Sequence, residues 1–316
     1  MSAGALGSLL PVVFLIATGV VVGRLRWVGA ATARELSNLV FMLLTPALLF
    51  RTMSRVHPQD LDFSPVGAYF IGLAVVFAST LLVCGFNRRA SVLALSATFS
   101  NTIMIGIPLI GLAYGEPGLV TLFTLYTVHT VSLLTCATLV MELSIQREAR
   151  QDQAGAGGPA LWRSVWDALR KSVVHPVPLP ILAGMAFGQT GWSLPEVVDK
   201  PLALLGAAMG PMALLLVGVT LSQVRISEHL RGALALVGAK NFVLPALVAA
   251  GGWAMGLSGL PLWVVVTVAS LPAGANSFLF SQRYQVAEDT VTTTVGLSTL
   301  LALFTVPVAM VLVRGL

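Results

Sequence analysis

The chain has 316 residues, of which 56% are hydrophobic and only 10% charged, and its mean hydropathy is +0.89. Soluble domains carry roughly 25% charged residues. This composition cannot cover its apolar surface in water, and it reads as an all-α polytopic membrane protein. The formal charge of +5 would suggest nucleic acid in a soluble chain, but here the asymmetry of the loops accounts for it and no nucleic-acid partner is expected.

A spanning helix needs about 20 mostly apolar residues. Ten stretches qualify, over 4–23, 33–51, 64–86, 91–113, 117–142, 173–190, 201–223, 231–256, 261–281 and 287–313. The first is a spanning helix and not a cleaved signal peptide, since residues 1–7 hold no Lys or Arg. With ten crossings and the N-terminus outside, 13 of the 18 basic residues fall on cytoplasmic ends, Arg24, Arg26, Arg34, Arg88 and Arg89 among them. Arg51, Arg55, Lys200 and Arg314 fall outside. The positive-inside rule therefore predicts both termini on the periplasmic side of a bacterial inner membrane. The long basic loop over 146–171 is then cytoplasmic. Gln151 to Pro159 reads as a flexible tether, and Leu161 to Lys171 is at most a short interfacial helix.

Cys84 and Cys136 sit within or at the edge of apolar runs and read as small hydrophobes, with no disulfide, metal or redox role. The four histidines show no metal-ligand spacing. There is no P-loop, dinucleotide fingerprint, His-Glu-x-x-His or nucleophile elbow, so no ATP-driven pump and no enzyme is expected, and no cofactor.

The two halves look like copies. Pro11 and Gly19 are spaced as Pro180 and Gly188 are. Pro46-Ala47-Leu48-Leu49 pairs with Pro211 to Leu215, and Thr98-Phe99-Ser100 with Ser270-Leu271-Pro272. The offsets of 169, 165 and 172 residues agree within small loop changes. Five helices per half force the second copy to cross in the opposite sense, which makes a 5+5 inverted repeat. The predicted units are residues 1–145, a linker over 146–171, and 172–316.

Two asparagines lie deep in apolar stretches beside helix breakers. Asn101 begins a run ending in Gly106-Ile107-Pro108, and Asn276 follows Pro272-Ala273-Gly274-Ala275. Asn101 is about ten residues, or roughly 15 Å, from the cytoplasmic end and so near the midplane. Interrupted hydrophobic segments at matching positions are the sequence pointer to a transporter's substrate site. Free backbone groups at that depth must face protein or a wet cavity. Segments 4 and 9 are thus predicted to cross in the interior. Ser100, Asn101, Thr102, Ala275, Asn276 and Ser277 would offer neutral donors and acceptors, and half-helix N-termini a partial positive charge suited to a carboxylate. The bland alternative is that these residues are glue between packed helices.

The same residues carry a resemblance. Asn101-Thr102 with Gly106-Ile107-Pro108-Leu109 and Tyr114-Gly115-Glu116 resembles the fourth-helix signature of the auxin efflux carrier family, which includes plant PIN proteins and bacterial permeases. Leu271-Pro272, Asn276-Ser277-Phe278 and Gln282-Arg283-Tyr284 are similar to its ninth-helix signature. Val295 to Leu300 with Thr305-Val306-Pro307 is similar to its last helix. The resemblance implies a bile-acid-transporter or sodium-proton-antiporter type of fold. Helices 1, 2, 6 and 7 would form a scaffold, with helices 3–5 and 8–10 as a transport domain. It also implies a homodimer through the scaffold. Plant members carry Pro before the first Asn; Ser100 stands there in this chain, which puts the local bend in question.

Lys240 is the costliest residue, since insertion scales charge about 2.5–3.5 kcal/mol for a central lysine. No acidic residue lies at matching depth, which leaves a substrate anion or snorkelling to the headgroups. His129 is a candidate for proton coupling, set against a neutral packed histidine. Thr45, with Asn38 and Pro46, is a weaker candidate for facing the crossover from the scaffold. The reading is a secondary carrier of small organic anions such as mono- or dicarboxylates. The alternative is a cation-coupled antiporter of the same fold, against which the lack of membrane carboxylates counts.

Overall fold

The computed structural model describes residues 3–56, 61–151, 166, 177–223 and 230–315. Apart from Gln151 and Trp166, the tether and interfacial helix considered over 151–171 lie outside these residues, as does Arg225. Among the described residues the regular structure is helical. Six helices are long and apolar enough to cross a membrane: Ala30–Met53, Ser64–Cys84, Thr102–Glu148, Glu196–Leu221, Leu230–Ala254 and Glu288–Val313. Shorter apolar helices cover Leu10–Arg24, Pro178–Gly188 and Gly259–Ser270. Leu82, Val83, Leu204 and Phe304 are among many large apolar side chains left exposed. That is the surface of a chain solvated by lipid, and it makes the molecule an integral multi-pass membrane protein.

The helices are α1 (Ala3–Arg24), α2 (Ala30–Leu39), α3 (Thr45–Met53), α4 (Ser64–Cys84), α5 (Arg88–Thr98), α6 (Ile107–Gln151), α7 (Pro178–Gly188), α8 (Glu196–Leu221), α9 (Leu230–Gly238), α10 (Leu244–Ala254), α11 (Gly259–Ser270), α12 (Ala275–Tyr284) and α13 (Glu288–Val313). Three joints between them are π turns: Val40–Leu44, Thr102–Gly106 and Ala239–Val243. Each stands just ahead of a proline, Pro46, Pro108 and Pro245. A proline has no N–H for the carbonyl four residues back, and its ring crowds that carbonyl. Widening the preceding turn relieves the crowding. The residue before each proline then bonds five residues back: Thr45 N–H to the Val40 carbonyl, Ile107 to Thr102, Leu244 to Ala239.

The span Thr102–Glu148 has 47 residues, about 70 Å if straight, against a hydrocarbon core of about 30 Å. It is not straight. Gly115 takes φ 68° and ψ −159°, a conformation that favours glycine, and Gly118 lies against Ile110 and Tyr114. The chain folds back there, between the two stretches expected at 91–113 and 117–142. Its second arm runs on to Gln151, past residue 145, where the sequence reading ends the first unit. Glu148 there meets Arg88 at 2.7 Å.

Glycines set the closest packing. α1 lies along α8, and a Cβ on Gly218 would stand 2.0 Å from the Ile16 carbonyl oxygen and 2.8 Å from the Gly19 Cα. α7 lies along α3, where a Cβ on Gly184 would meet the Phe50 carbonyl at 2.6 Å. α4 packs on α10 through Gly72, whose Cβ would meet Val248 at 2.8 Å. At one end of the α3–α8 contact Asp199 takes both forks of Arg51, at 2.8 and 3.0 Å, and also Arg55 at 2.9 Å.

Overpacking of this kind costs about 1–3 kcal/mol or more. Gly218→Val should lower the melting temperature of purified protein by several degrees. Gly238→Ala, whose added methyl meets nothing within 4 Å, should not lower it. An unchanged melting temperature for Gly218→Val would contradict the α1–α8 crossing.

Candidate functional site

The interruptions in the two broken helices meet. Between α5 and the first π-turned segment, residues Phe99 to Asn101 leave helical geometry, with Phe99 at φ −77°, ψ 116° and Asn101 at φ −75°, ψ 65°. Between α11 and α12, Leu271 to Gly274 do the same. Ser100 and Ala273 pair as an isolated antiparallel bridge. The Asn101 N–H donates to the Pro272 carbonyl at 2.8 Å, and the Gly274 N–H to the Phe99 carbonyl at 2.8 Å. Each break thus satisfies backbone groups that the other exposes.

The second break falls where Pro272 and Gly274 pointed. The first does not fall at Gly106 and Pro108. Pro108 follows directly on the π turn, whose wider ring accommodates its missing N–H, and faces Gly210 of α8. Gly106 closes the π turn, and its bare Cα admits the Leu271 side chain, which a Cβ would meet at 2.7 Å. Gly274 has a similar task at the bridge, since a Cβ there would stand 2.9 Å from the Ser100 carbonyl oxygen.

A cavity of about 450 Å³ lies against the crossing. Asn101, Thr102, Ile103 and Met104 line it from one break, and Gly274, Ala275 and Asn276 from the other. Asn38 of α2, Phe41 of the π turn that follows it, Thr220 of α8 and Thr299 of α13 add to the polar and aromatic parts of the wall. Among the described residues, no Asp, Glu, Lys, Arg or His is in the lining. α12 and the π turn at Thr102 both begin at this wall, so two half-helix N-termini converge on it. Asn101 and Asn276 are part-exposed, and among the described residues neither side-chain amide has a hydrogen-bond partner. Glue would require such a partner.

Other predicted residues sit elsewhere. Ser100 touches the cavity wall, but its buried hydroxyl is engaged, donating to the Val268 carbonyl at 3.0 Å and meeting the Tyr69 hydroxyl at 3.2 Å. That hydroxyl ties the bend where plant members carry Pro. Ser277 is buried behind the wall and donates to the Gly274 carbonyl at 2.8 Å. Thr45 is fully buried off the cavity, and among the described residues its hydroxyl has no partner. His129 is enclosed by the rings of Tyr69, Phe99 and Tyr126, and among the described residues neither ring nitrogen has a hydrogen-bond partner. It lies behind the wall that Phe99 and Tyr126 form.

Lys240 neither lines the cavity nor snorkels. It is wholly buried, and its Nζ donates to the carbonyls of Ala269 at 2.7 Å and Leu271 at 2.6 Å. Its neighbour Asn241, unremarked in the sequence, is the true glue. The Asn241 amide donates to the Ser298 carbonyl at 3.1 Å and accepts from the Ser298 hydroxyl at 2.6 Å, while Ser298 Oγ accepts the Ala273 N–H at 3.0 Å. The signal was available, in two adjacent polar residues inside an apolar run.

Interrupted helices that cross beside a ligand-sized cavity, in a chain solvated by lipid, are the architecture of a protein that handles solutes within the bilayer. Residues 5–310 match the membrane transport protein family, and the chain belongs to that family, the one that contains the auxin efflux carriers. Similar proteins include a "Putative malonate transporter" of Rhizobium meliloti (strain 1021), 27% identical over 98% of this chain and 96% of its own length. An "Uncharacterized transporter" of Methanothermobacter thermautotrophicus is 23% identical over 96% and 97% of the two chains. A "Probable auxin efflux carrier component 5a" of Oryza sativa subsp. japonica is 22% identical over 89% of each.

Surface-like substitutions shift stability by about 0.5 kcal/mol or less, whereas leaving buried polar partners unpaired costs about 1–3 kcal/mol. Asn101→Ala and Asn276→Ala should therefore melt within a degree or two of the wild type, and Asn241→Leu well below it. The reverse order in thermal unfolding would make the first two residues the glue.

Proposed function

We propose that this membrane transport protein is a secondary carrier of small organic anions, with the carboxylate held between Asn101 and Asn276. The observation that carries this reading is the pair of unpartnered carboxamides facing one cavity beside two half-helix N-termini. Such a site offers donors and partial positive charge without a fixed counter-ion. The name of the Rhizobium relative supports the carboxylate class. Among the described residues no Asp or Glu lines the cavity, which counts against a cation-coupled antiporter.

On this reading the chain makes ten crossings as two inverted five-helix repeats joined by a cytoplasmic linker. The reciprocal packing of α1 on α8 and of α7 on α3 supports the symmetry. α1, α2–α3, α7 and α8 are the scaffold, and the remaining helices carry the crossing. The cavity reaches the end of the molecule that bears Arg24, Arg26 and Arg34, by way of Asn38 and Thr220. On the far side Pro108 closes on Gly210 and Leu48 on Gly206. With the periplasmic termini that the basic residues favour, this is the inward-facing conformer of an alternating-access cycle in a plasma membrane.

Purified protein should be stabilised against heat by one member of a panel of malonate, malate, succinate and indole-3-acetate, since a ligand of the folded state raises its stability by mass action. Asn101→Ala and Asn276→Ala should abolish that response while staying folded. Stabilisation by Na⁺ or by pH, with none by any anion, would move the reading to the antiporter. In inverted and right-side-out vesicles, Thr220→Cys should react with an impermeant maleimide from the cytoplasmic face and be protected from the other. Equal labelling from both faces would contradict the assigned conformer.

A further inference from the structure

The two breaks are finished in different chemistry. At the end of α5 the carbonyls find neutral donors. Leu95 accepts from the Phe99 N–H, Ala94 from the Thr98 hydroxyl, and Phe99 from the Gly274 N–H. At the end of α11 the Val268 and Pro272 carbonyls also take neutral donors, the Ser100 hydroxyl and the Asn101 N–H, but a charge holds the other two. The Ala269 and Leu271 carbonyls converge on the Lys240 ammonium at 2.7 and 2.6 Å. Both partners are acceptors, and among the described residues no carboxylate pairs with Lys240. The lysine is wholly enclosed, so solvent does not screen it.

Unwound carbonyls and the C-terminal ends of half-helices are where broken-helix carriers coordinate a dissociable Na⁺. Here that carbonyl pair already holds a cation, one bonded covalently to the chain. We propose that Lys240 is a tethered replacement for a co-transported cation: it neutralises the broken end of α11, leaves the N-termini at the crossing as the uncompensated dipole ends facing the cavity, and frees anion binding from any co-ion.

The consequence is asymmetric. Removing the charge should not simply weaken the protein; it should create a cation requirement that the wild type lacks. The proposal rests on the anion-carrier reading for its effect on binding, but the cation requirement is measurable without substrate. Purified wild type and Lys240→Ala are compared by thermal unfolding in choline chloride, with NaCl, KCl or methylammonium chloride substituted at equal ionic strength. Wild type should melt alike in all four. Lys240→Ala should melt lower in choline, whose quaternary nitrogen can neither donate to nor be coordinated by the carbonyls, and be restored, saturably, by Na⁺, K⁺ or methylammonium. An alanine variant indifferent to every small cation would overturn the proposal.

Lys240→Gln provides the second arm, because its amide keeps N–H donors for the carbonyls and drops only the charge. With malonate and indole-3-acetate as probes, it should stay folded and lose affinity tenfold or more. Affinity equal to wild type would overturn the proposal, since a purely structural cap needs no charge. If wild type binds neither probe, the anion-carrier reading fails by itself and the cation arm alone decides the role of Lys240.

Discussion

Everything at the centre of this molecule depends on two backbone hydrogen bonds that join residues 171 and 175 positions apart in the chain. The Asn101 N–H to Pro272 carbonyl bond and the Gly274 N–H to Phe99 carbonyl bond let two helices be broken where lipid would forbid it. A broken helix in hydrocarbon leaves several donors and acceptors bare, each costing kilocalories. Two breaks set antiparallel satisfy one another over a single bridged pair. The geometry leaves the N-terminal ends of both following segments free and aimed at one space. The cavity, the exposed carboxamides and the need for bare glycine at position 274 follow from that mutual repair.

The surrounding polar residues divide into those that maintain the crossing and those that face the cavity. Ser100, Tyr69, Asn241 and Ser298 spend their hydrogen bonds on the breaks. Among the described residues, the side-chain amides of Asn101 and Asn276 bond no protein group. Asn101 and Asn241 both lie inside apolar runs, but Asn101 is part-exposed on the cavity and Asn241 is buried among its partners. A buried polar group without a partner is costly. Two part-exposed carboxamides left open beside a cavity are a feature that a merely structural crossing would not keep.

The helical segments were legible because a bilayer prescribes both length and composition. The second break was legible too, since Pro272 and Gly274 mark it chemically. The first was not. Phe99-Ser100-Asn101 contains no proline or glycine, and the unwinding there is produced by a partner far along the chain. Gly106 and Pro108 drew attention as breakers, but the proline needed only a widened turn and the glycine only a close neighbour. Lys240 was recognised as costly and assigned outward, to an anion or to headgroups. Its partners are main-chain carbonyls, which no side-chain pattern records.

The π turns ahead of Pro46, Pro108 and Pro245 bear on how the helices are phased. A π turn holds one residue more than the α turn it replaces, which advances the helical face by about 100°. A helical wheel drawn through Ala30–Met53 or Leu230–Ala254 therefore describes two half-wheels out of register. The stripe that turns Ser37, Asn38 and Phe41 toward the cavity is not continued by Thr45, Leu49 and Met53, which turn into the packed interior. One helix thereby serves two environments in succession, and the surplus residue acts as a phase shifter between them.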